Sequence, residues 1–183
     1  MKTLLFSLSL LTCLSIAAGC SSESPAPPAA ESPVAAAIDG ARYLLDSEPD
    51  RSAGVIAVRE SASDGDDIVI TGRIGGSANP WINGRAAFSI VDHSLTACSD
   101  IPGDECEKPW DYCCQTDKLP TSTALVKFVD DDGNPLAVDS RELLAVKELQ
   151  TVVVRGKAKR DDAGNLTVLA SQVFVRPEAT SNE

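Results

Sequence analysis

Short runs of alternating apolar and polar residues recur along the chain from residue 68 onward, each bounded by a turn-forming cluster. Residues 68–74 (IVITGRI) are rich in β-branched side chains. They follow Ser63-Asp64-Gly65-Asp66-Asp67 and stop at Gly75-Gly76, so they read as a strand between two breaks. Residues 86–92 set Ala87, Ser89 and Val91 against Phe88 and Ile90, a second strand with two distinct faces. A third strand over 124–129 closes at Asp130-Asp131-Asp132-Gly133-Asn134-Pro135, where every residue favours a turn. The period then changes. Leu143, Leu144, Val146 and Leu149 fall at helical spacing, with Asp139 or Ser140 placed to cap a helix over 140–149. Strand patterning returns over 151–158 and 166–176, on either side of the turn Asp161-Asp162-Ala163-Gly164-Asn165.

The order of three strands, one helix and two strands is that of the OB-fold, a partly open five-stranded barrel. The expected fold is therefore mainly β, with one helix between the third and fourth strands and a cysteine-rich loop after the second. A small β-sandwich of the same strands is the alternative. The segments 67–74 (DIVITGRI) and 152–158 (VVVRGKA) resemble the strands of bacterial periplasmic OB-fold proteins, an apolar run followed by glycine and a basic residue. The resemblance spans residues 66–175 apart from the cysteine insert and implies a barrel in an exported protein.

Upstream the pattern loses its periodicity. Residues 38–62 form an extension whose short apolar runs fit strand and helix equally, and a helix over about 50–61 is the favoured reading. Residues 20–37 are Ser, Pro, Ala and Glu with almost no large apolar side chain, the composition of a disordered tether. Residues 1–19 carry Lys2 and then an uncharged apolar run, too short for a mature membrane span and typical of a secretory signal. The end of that run, Ala17-Ala18-Gly19-Cys20, resembles the lipobox of bacterial lipoproteins, with Ala17 where leucine is commonest. The resemblance implies that Cys20 is the acylated first residue of a protein anchored in a bacterial membrane and facing the periplasm. By the same resemblance, Ser21 implies the outer membrane. The folded domain is expected over 63–177, with a polar tail at 178–183.

Composition narrows the function. The net charge of −11 becomes −12 once residues 1–19 are removed, because Lys2 is the one charged residue they contain. Such a surface repels phosphates, which excludes nucleic acid as a partner even though many OB-folds bind it.

The stretch 92–120 concentrates the chemistry: the single histidine, one of two tryptophans and four of six cysteines. Cys98, Cys106, Cys113 and Cys114 are separated by seven, six and no residues. An even number of cysteines in one loop of an exported chain reads as disulfides. Adjacent cysteines rarely bond to each other, so Cys113 and Cys114 would each reach back to Cys98 or Cys106. Each bridge would close a short loop worth about 2–3 kcal/mol. The alternative is zinc or copper held by the four thiolates with His93, although the spacing lacks the close cysteine pairs of structural zinc loops. Trp110, Asp111 and Tyr112, with Trp81 in the first hairpin, form the expected binding surface, since rigid amphipathic aromatics offer contact area at small entropic cost. Trp110 serving instead as a lid on the barrel end is an equally good account.

No catalytic residues are assigned. Asp92-His93-Ser94 are consecutive, whereas a triad is assembled in space. Asp130–Asp132 lack the bidentate glutamate of a calcium loop and read as a solvated hairpin tip. No phosphate-binding loop, nucleophile elbow or H-E-x-x-H is present. The sequence thus points to a lipid-anchored extracytoplasmic binding module for an unknown protein or small molecule, with no cofactor and no enzymatic role. Metal binding by the cysteines is the alternative.

Overall fold

The computed structural model describes residues 38–177. The expected signal segment, the expected tether with Cys20 and the tail at 178–183 lie outside the described residues.

Five strands close into a barrel. They are β2 (Asp67–Ile74), β3 (Ala87–Val91), β4 (Thr123–Phe128), β5 (Thr151–Arg160) and β6 (Leu166–Val175). Antiparallel pairs β2–β3 and β3–β4, the parallel pair β4–β6 and antiparallel β6–β5 run round the wall, and β5 returns to β2 from Asp67↔Lys157 to Arg73↔Thr151. This is the mainly β, OB-like barrel expected, and its strand bounds match the expected ones to within two residues. Closure matters energetically, because a small open sheet would leave two edges of unpaired amides and carbonyls.

The two glycines within the barrel motif are positions of close approach. A Cβ on Gly156 would lie 2.4 Å from the Leu169 carbonyl oxygen, at the point where the β5–β6 register slips between Arg155 and Gly156. A Cβ on Gly72 would meet the Val91 oxygen at 2.8 Å. The bulge at Gly156 is of the kind that bends a strand in a small barrel, while Gly72 keeps its regular register against Val152.

Residues 38–62 belong to the same core rather than to a separate extension. A 3₁₀ turn at Gly40–Tyr43 buries Tyr43 edge-on against Phe128, and Leu44 bridges to Val173. Residues Ala53–Gly54 form a two-residue strand, β1, parallel to β2, where β3 leaves that strand's edge uncovered. The helix expected over 50–61 is present as α1 (Val55–Ser61) and starts later, because Arg51 is left-handed at φ 61° and Ala53–Gly54 are committed to the sheet. A further turn of helix, α2 (Leu119–Ser122), leads into β4.

The helix before β5 is α3 (Ser140–Leu144), five residues rather than the ten expected. Its start is as expected, with Asp139 accepting from the Arg141 amide. Its end comes early because Ala145 turns left-handed, and Leu149 then donates its amide to Ile74. Sheet hydrogen bonding thus outcompetes apolar helical spacing, and Val146 is buried all the same.

The core is aliphatic, with Ile70, Ile74, Ile90, Val126, Val152, Val154 and Val168 fully enclosed round Phe88 and Phe128. Trp81 is part of it, only 3% exposed, tilted against Phe88, with its Nε1 donating to Glu148 at 2.6 Å. A residue expected on the binding surface is therefore a core residue. It has a polar rim partner, as buried tryptophan usually does.

Candidate functional site

The site is built on the outer face of β3. Phe88 and Ile90 point into the barrel, so Val91 belongs to the opposite face, yet it is fully buried. What buries it is the insert. Val91, Leu95, Ala97 and Tyr112 form a second small core, flanked by Leu119 and Leu149. Tyr112 is 0% exposed and held left-handed at φ 58°, ψ 37° between two single 3₁₀ turns, Pro109–Asp111 and Cys113–Gln115. Its hydroxyl has no hydrogen-bond partner among the described residues, and burial raises its pKa. Tyr112 is thus the anchor of the loop and offers no contact surface. Holding a bulky residue left-handed costs of order 1–3 kcal/mol, so the surrounding packing must enforce it.

Further ties fix the insert to the end of β2. The Gly76 amide donates to the Trp110 carbonyl at 2.8 Å, and Trp110 Nε1 reaches Ala78 at 3.4 Å. Arg73 on β2 forms an ion pair with Asp100, and its Nε reaches Leu149. Where the loop meets the barrel, the Asp92 amide donates to Ser122, joining its two ends. Trp110 is half-buried against the first hairpin, so it combines the lid and the rim roles that the sequence left open.

The four cysteines, spread over residues 98–114, meet at one point. None is bonded to another. Cys113 Sγ stands 3.5 Å from Cys98 Sγ, 3.8 Å from Cys106 Sγ and 3.9 Å from Cys114 Sγ. Cys98 is buried, Cys106 half-buried, and Cys113 and Cys114 are exposed. Two aspartates enter the same cluster. Asp111 Oδ1 lies 3.9 Å from the sulfurs of both Cys98 and Cys106, and Asp104 Oδ2 lies 3.8 Å from Cys114 Sγ. Sulfur contacts with Cys98, Cys106 and Cys114 push the Cys113 thiol well above its ordinary pKa. For Cys114 the contact with Cys113 favours the thiolate, but desolvation and the charges of Cys98 and Asp104 outweigh it and the pKa rises.

Asp104 and Asp111 each sit two residues before a cysteine and accept that cysteine's amide, at 2.7 Å for Cys106 and 2.9 Å for Cys113. This repeated D-x-C turn is visible in the sequence and would have identified Asp104 as part of the cluster. Arg73 and Asp100, by contrast, carry no local signal.

His93 is not part of this cluster. The close groups of ligand atoms contain only cysteine and aspartate among the described residues. His93 Nε2 lies 3.3 Å from the Thr71 hydroxyl, and its pKa is lowered by desolvation and by Arg176 and Arg73, against the opposing pull of Asp92.

Asp92 has a different task. Its Oδ2 accepts from the Ile56 amide at 2.9 Å and its Oδ1 from the Ser94 amide at 2.9 Å. Gly54 at the N-cap of α1 has no side chain to offer, so Asp92 caps that helix from across the fold. Burial raises its pKa, but the Ile56 and Ser94 amides, with the Ser94 hydroxyl and neighbouring His93, together hold the carboxyl below its usual range. The aspartates at 130–132 form a hairpin tip in which Asp130 accepts from Asp132 and Asn134.

A separate concavity of about 990 Å³ opens at the other end of β2, lined by Asp67, Ile68, Arg155, Lys157, Arg42 and Tyr43 among others. Lys157 is engaged by Asp67 at 2.8 Å, which leaves a rim of mixed charge. Nothing in its chemistry singles out a ligand.

No protein-family model and no curated protein matches the sequence. Among solved structures, a "putative aspartyl-tRNA synthetase" from Leishmania major Friedlin aligns over 76% of this chain and 23% of its own length, at 7% identity and a TM-score of 0.39. The telomere capping protein Ten1 from Saccharomyces pombe aligns over 72% of this chain and 83% of its own, at 14% identity and a TM-score of 0.32. A chain of the S. pombe Stn1-Ten1 complex aligns over 75% of this chain and 85% of its own, at 15% identity and a TM-score of 0.33. Likeness at this level carries no argument about function.

Proposed function

We propose that this chain is an exported binding module, anchored in a bacterial membrane through lipidated Cys20, whose contact surface is the cysteine-bearing loop on the outer face of β3. The observation that carries the reading is the way the loop is mounted. Tyr112, Arg73 and Trp110 clamp its inner side to the barrel, while Glu105, Glu107, Lys108 and Asp117 are exposed on its outer side. A loop held this firmly loses little entropy on meeting a partner.

Its exposed carboxylates favour a basic or neutral partner surface over a phosphate-rich one. The contact residues are then Trp110, Asp111 and the charged rim, with Trp81 and Tyr112 as the supports behind them. A rigid β scaffold presenting one ordered loop is a common arrangement for recognition.

Two measurements test the reading. The mass of the mature protein reports whether the chain starts at an acylated Cys20, and Cys20→Ala should move it from the membrane fraction to the soluble one. A photo-crosslinking side chain placed at Glu107 should give a specific adduct in intact cells, while the same group at Asp131, beside the concavity, should give none. An adduct at Asp131 alone would move the contact surface to the far end of the barrel.

A further inference from the structure

We infer that Cys98, Cys106 and Cys113 bind a single zinc-like divalent cation as thiolates, with the fourth vertex supplied by Asp111 or Cys114. The inference goes beyond the proposed binding role and does not depend on export or anchoring.

The first support is distance. Zinc–thiolate bonds of about 2.3 Å place the corners of a tetrahedron about 3.8 Å apart. From Cys113 Sγ the other two sulfurs of the set lie at 3.5 and 3.8 Å. Asp111 Oδ1 lies 3.9 Å from Cys98 Sγ and from Cys106 Sγ, and all four ligand atoms are within 4.8 Å of one another. One ion at the centre reaches every corner.

The second support is connectivity. Disulfides sort sulfurs into pairs at about 2.05 Å. Here Cys113 faces three sulfurs at nearly equal distance instead of one close partner. A hub of this kind suits a shared central atom and does not suit two separate bridges.

The third support is preorganisation. Asp111 and Cys113 flank buried Tyr112, and Cys98 is itself buried beside Ala97 of the same small core, so these three ligands are set by packing before any ion arrives. Cys106 is brought in by the Asp104 turn.

The donor set then selects the metal. Three sulfurs and one further anionic group suit zinc and do not suit calcium or magnesium, which take oxygen ligands. The absence of a C-x-x-C pair, an objection when spacing alone is considered, disappears once the chain folds. Asp111 ends one 3₁₀ turn and Cys113 begins the next, with left-handed Tyr112 between them, while Cys98 and Cys106 come from separate turns.

The experiment uses the full chain purified under thiol-protecting conditions. Elemental analysis should find one zinc per chain, and the thiols of Cys98, Cys106 and Cys113 should become titratable only when a chelator removes it. Exchange with cobalt should give thiolate-to-cobalt charge-transfer absorption and the visible bands of a tetrahedral site.

Cys106→Ser should weaken cobalt binding by more than the roughly 10–100-fold typical of changes outside the ligand shell. Far-UV circular dichroism would confirm that the barrel is intact in that variant. A spectrum altered in Asp111→Asn but not in Cys114→Ser assigns the carboxylate to the fourth vertex, and the converse assigns the fourth sulfur.

Metal-free protein with its cysteines joined pairwise in peptide mapping would overturn the inference. So would wild-type cobalt affinity in Cys106→Ser. Either result leaves the lipidation and crosslinking tests of the binding role untouched.

Discussion

The barrel and the insert on β3 are stabilised in different ways. Every strand of the barrel has two neighbours, and its interior is a continuous aliphatic cluster around Phe88 and Phe128. The insert has no strand of its own; it is a chain of single turns resting on four buried side chains, one ion pair and a point where four sulfurs meet. In the barrel, removing one contact leaves many others in place. In the insert each contact acts nearly alone, so its order depends on a few named residues. That is why the insert can be ordered on only a small core of its own, and why it is the easier part to dismantle.

The largest effects should separate the two regions. Phe88→Ala removes an aromatic ring from the centre of the barrel and should cost about 3–5 kcal/mol, read as a lower midpoint for the whole molecule in urea. Tyr112→Ala removes a side chain just as completely buried, and a similar local cost of about 3–5 kcal/mol is expected. In that variant, however, native-state hydrogen exchange should show lost protection confined to residues 92–122. Global unfolding of Tyr112→Ala at the lowered midpoint of Phe88→Ala would break the comparison and make the molecule one cooperative unit.

A smaller effect sharpens the same boundary from the barrel side. A Cβ at Gly75 would meet the Trp110 carbonyl oxygen at 2.6 Å and the Tyr112 ring at 3.0 Å, so Gly75→Ala should lift the insert at a cost of about 1–3 kcal/mol. Barrel exchange rates should stay as they are. If the insert remains protected, its seat on β2 is softer than the structure draws it.

Asp92 joins the two regions, and its effect should depend on pH. Asp92→Ala leaves the Ile56 amide of α1 and the Ser94 amide without their acceptor and should cost about 1 kcal/mol at neutral pH. Because the folded carboxyl titrates below its ordinary 3.8, its contribution is complete above that value and is lost as pH falls through the lower folded pKa. Wild type and variant should therefore converge in stability in acid, below about pH 4, when their urea midpoints are compared across pH. A constant gap from neutral to acid pH would mean that the carboxylate's charge plays no part.

The smallest effect is Tyr112→Phe. The hydroxyl it removes is buried without a partner among the described residues, so stability should change by no more than about 0.5 kcal/mol or rise slightly. A loss above 1 kcal/mol would reveal a partner for that hydroxyl.

Legibility in the sequence followed the same division. All five barrel strands were readable because each carries its own period and its own turn, as Asp161-Asp162-Ala163-Gly164-Asn165 shows for the last hairpin. The N-cap at Asp139 was readable because capping is local, whereas the end of α3 was not, since the left-handed Ala145 and the bond from Leu149 to Ile74 answer to a distant strand. Trp81 and Tyr112 looked like surface residues because amphipathic aromatics suit a core edge and a binding rim alike. Only the packing of Phe88 on one and Val91 on the other separates those roles.

Local chemistry in the sequence was thus enough to specify a small closed barrel, its turns, and the loop in which its sulfur is concentrated. Which side of β3 that loop covers, that Asp92 serves a helix 36 residues away, and that three cysteines converge on Cys113 were decided by the folded chain. The reason is physical: periodicity and turn propensity act over a few residues, while burial and sulfur convergence depend on which distant segments the closed sheet brings together.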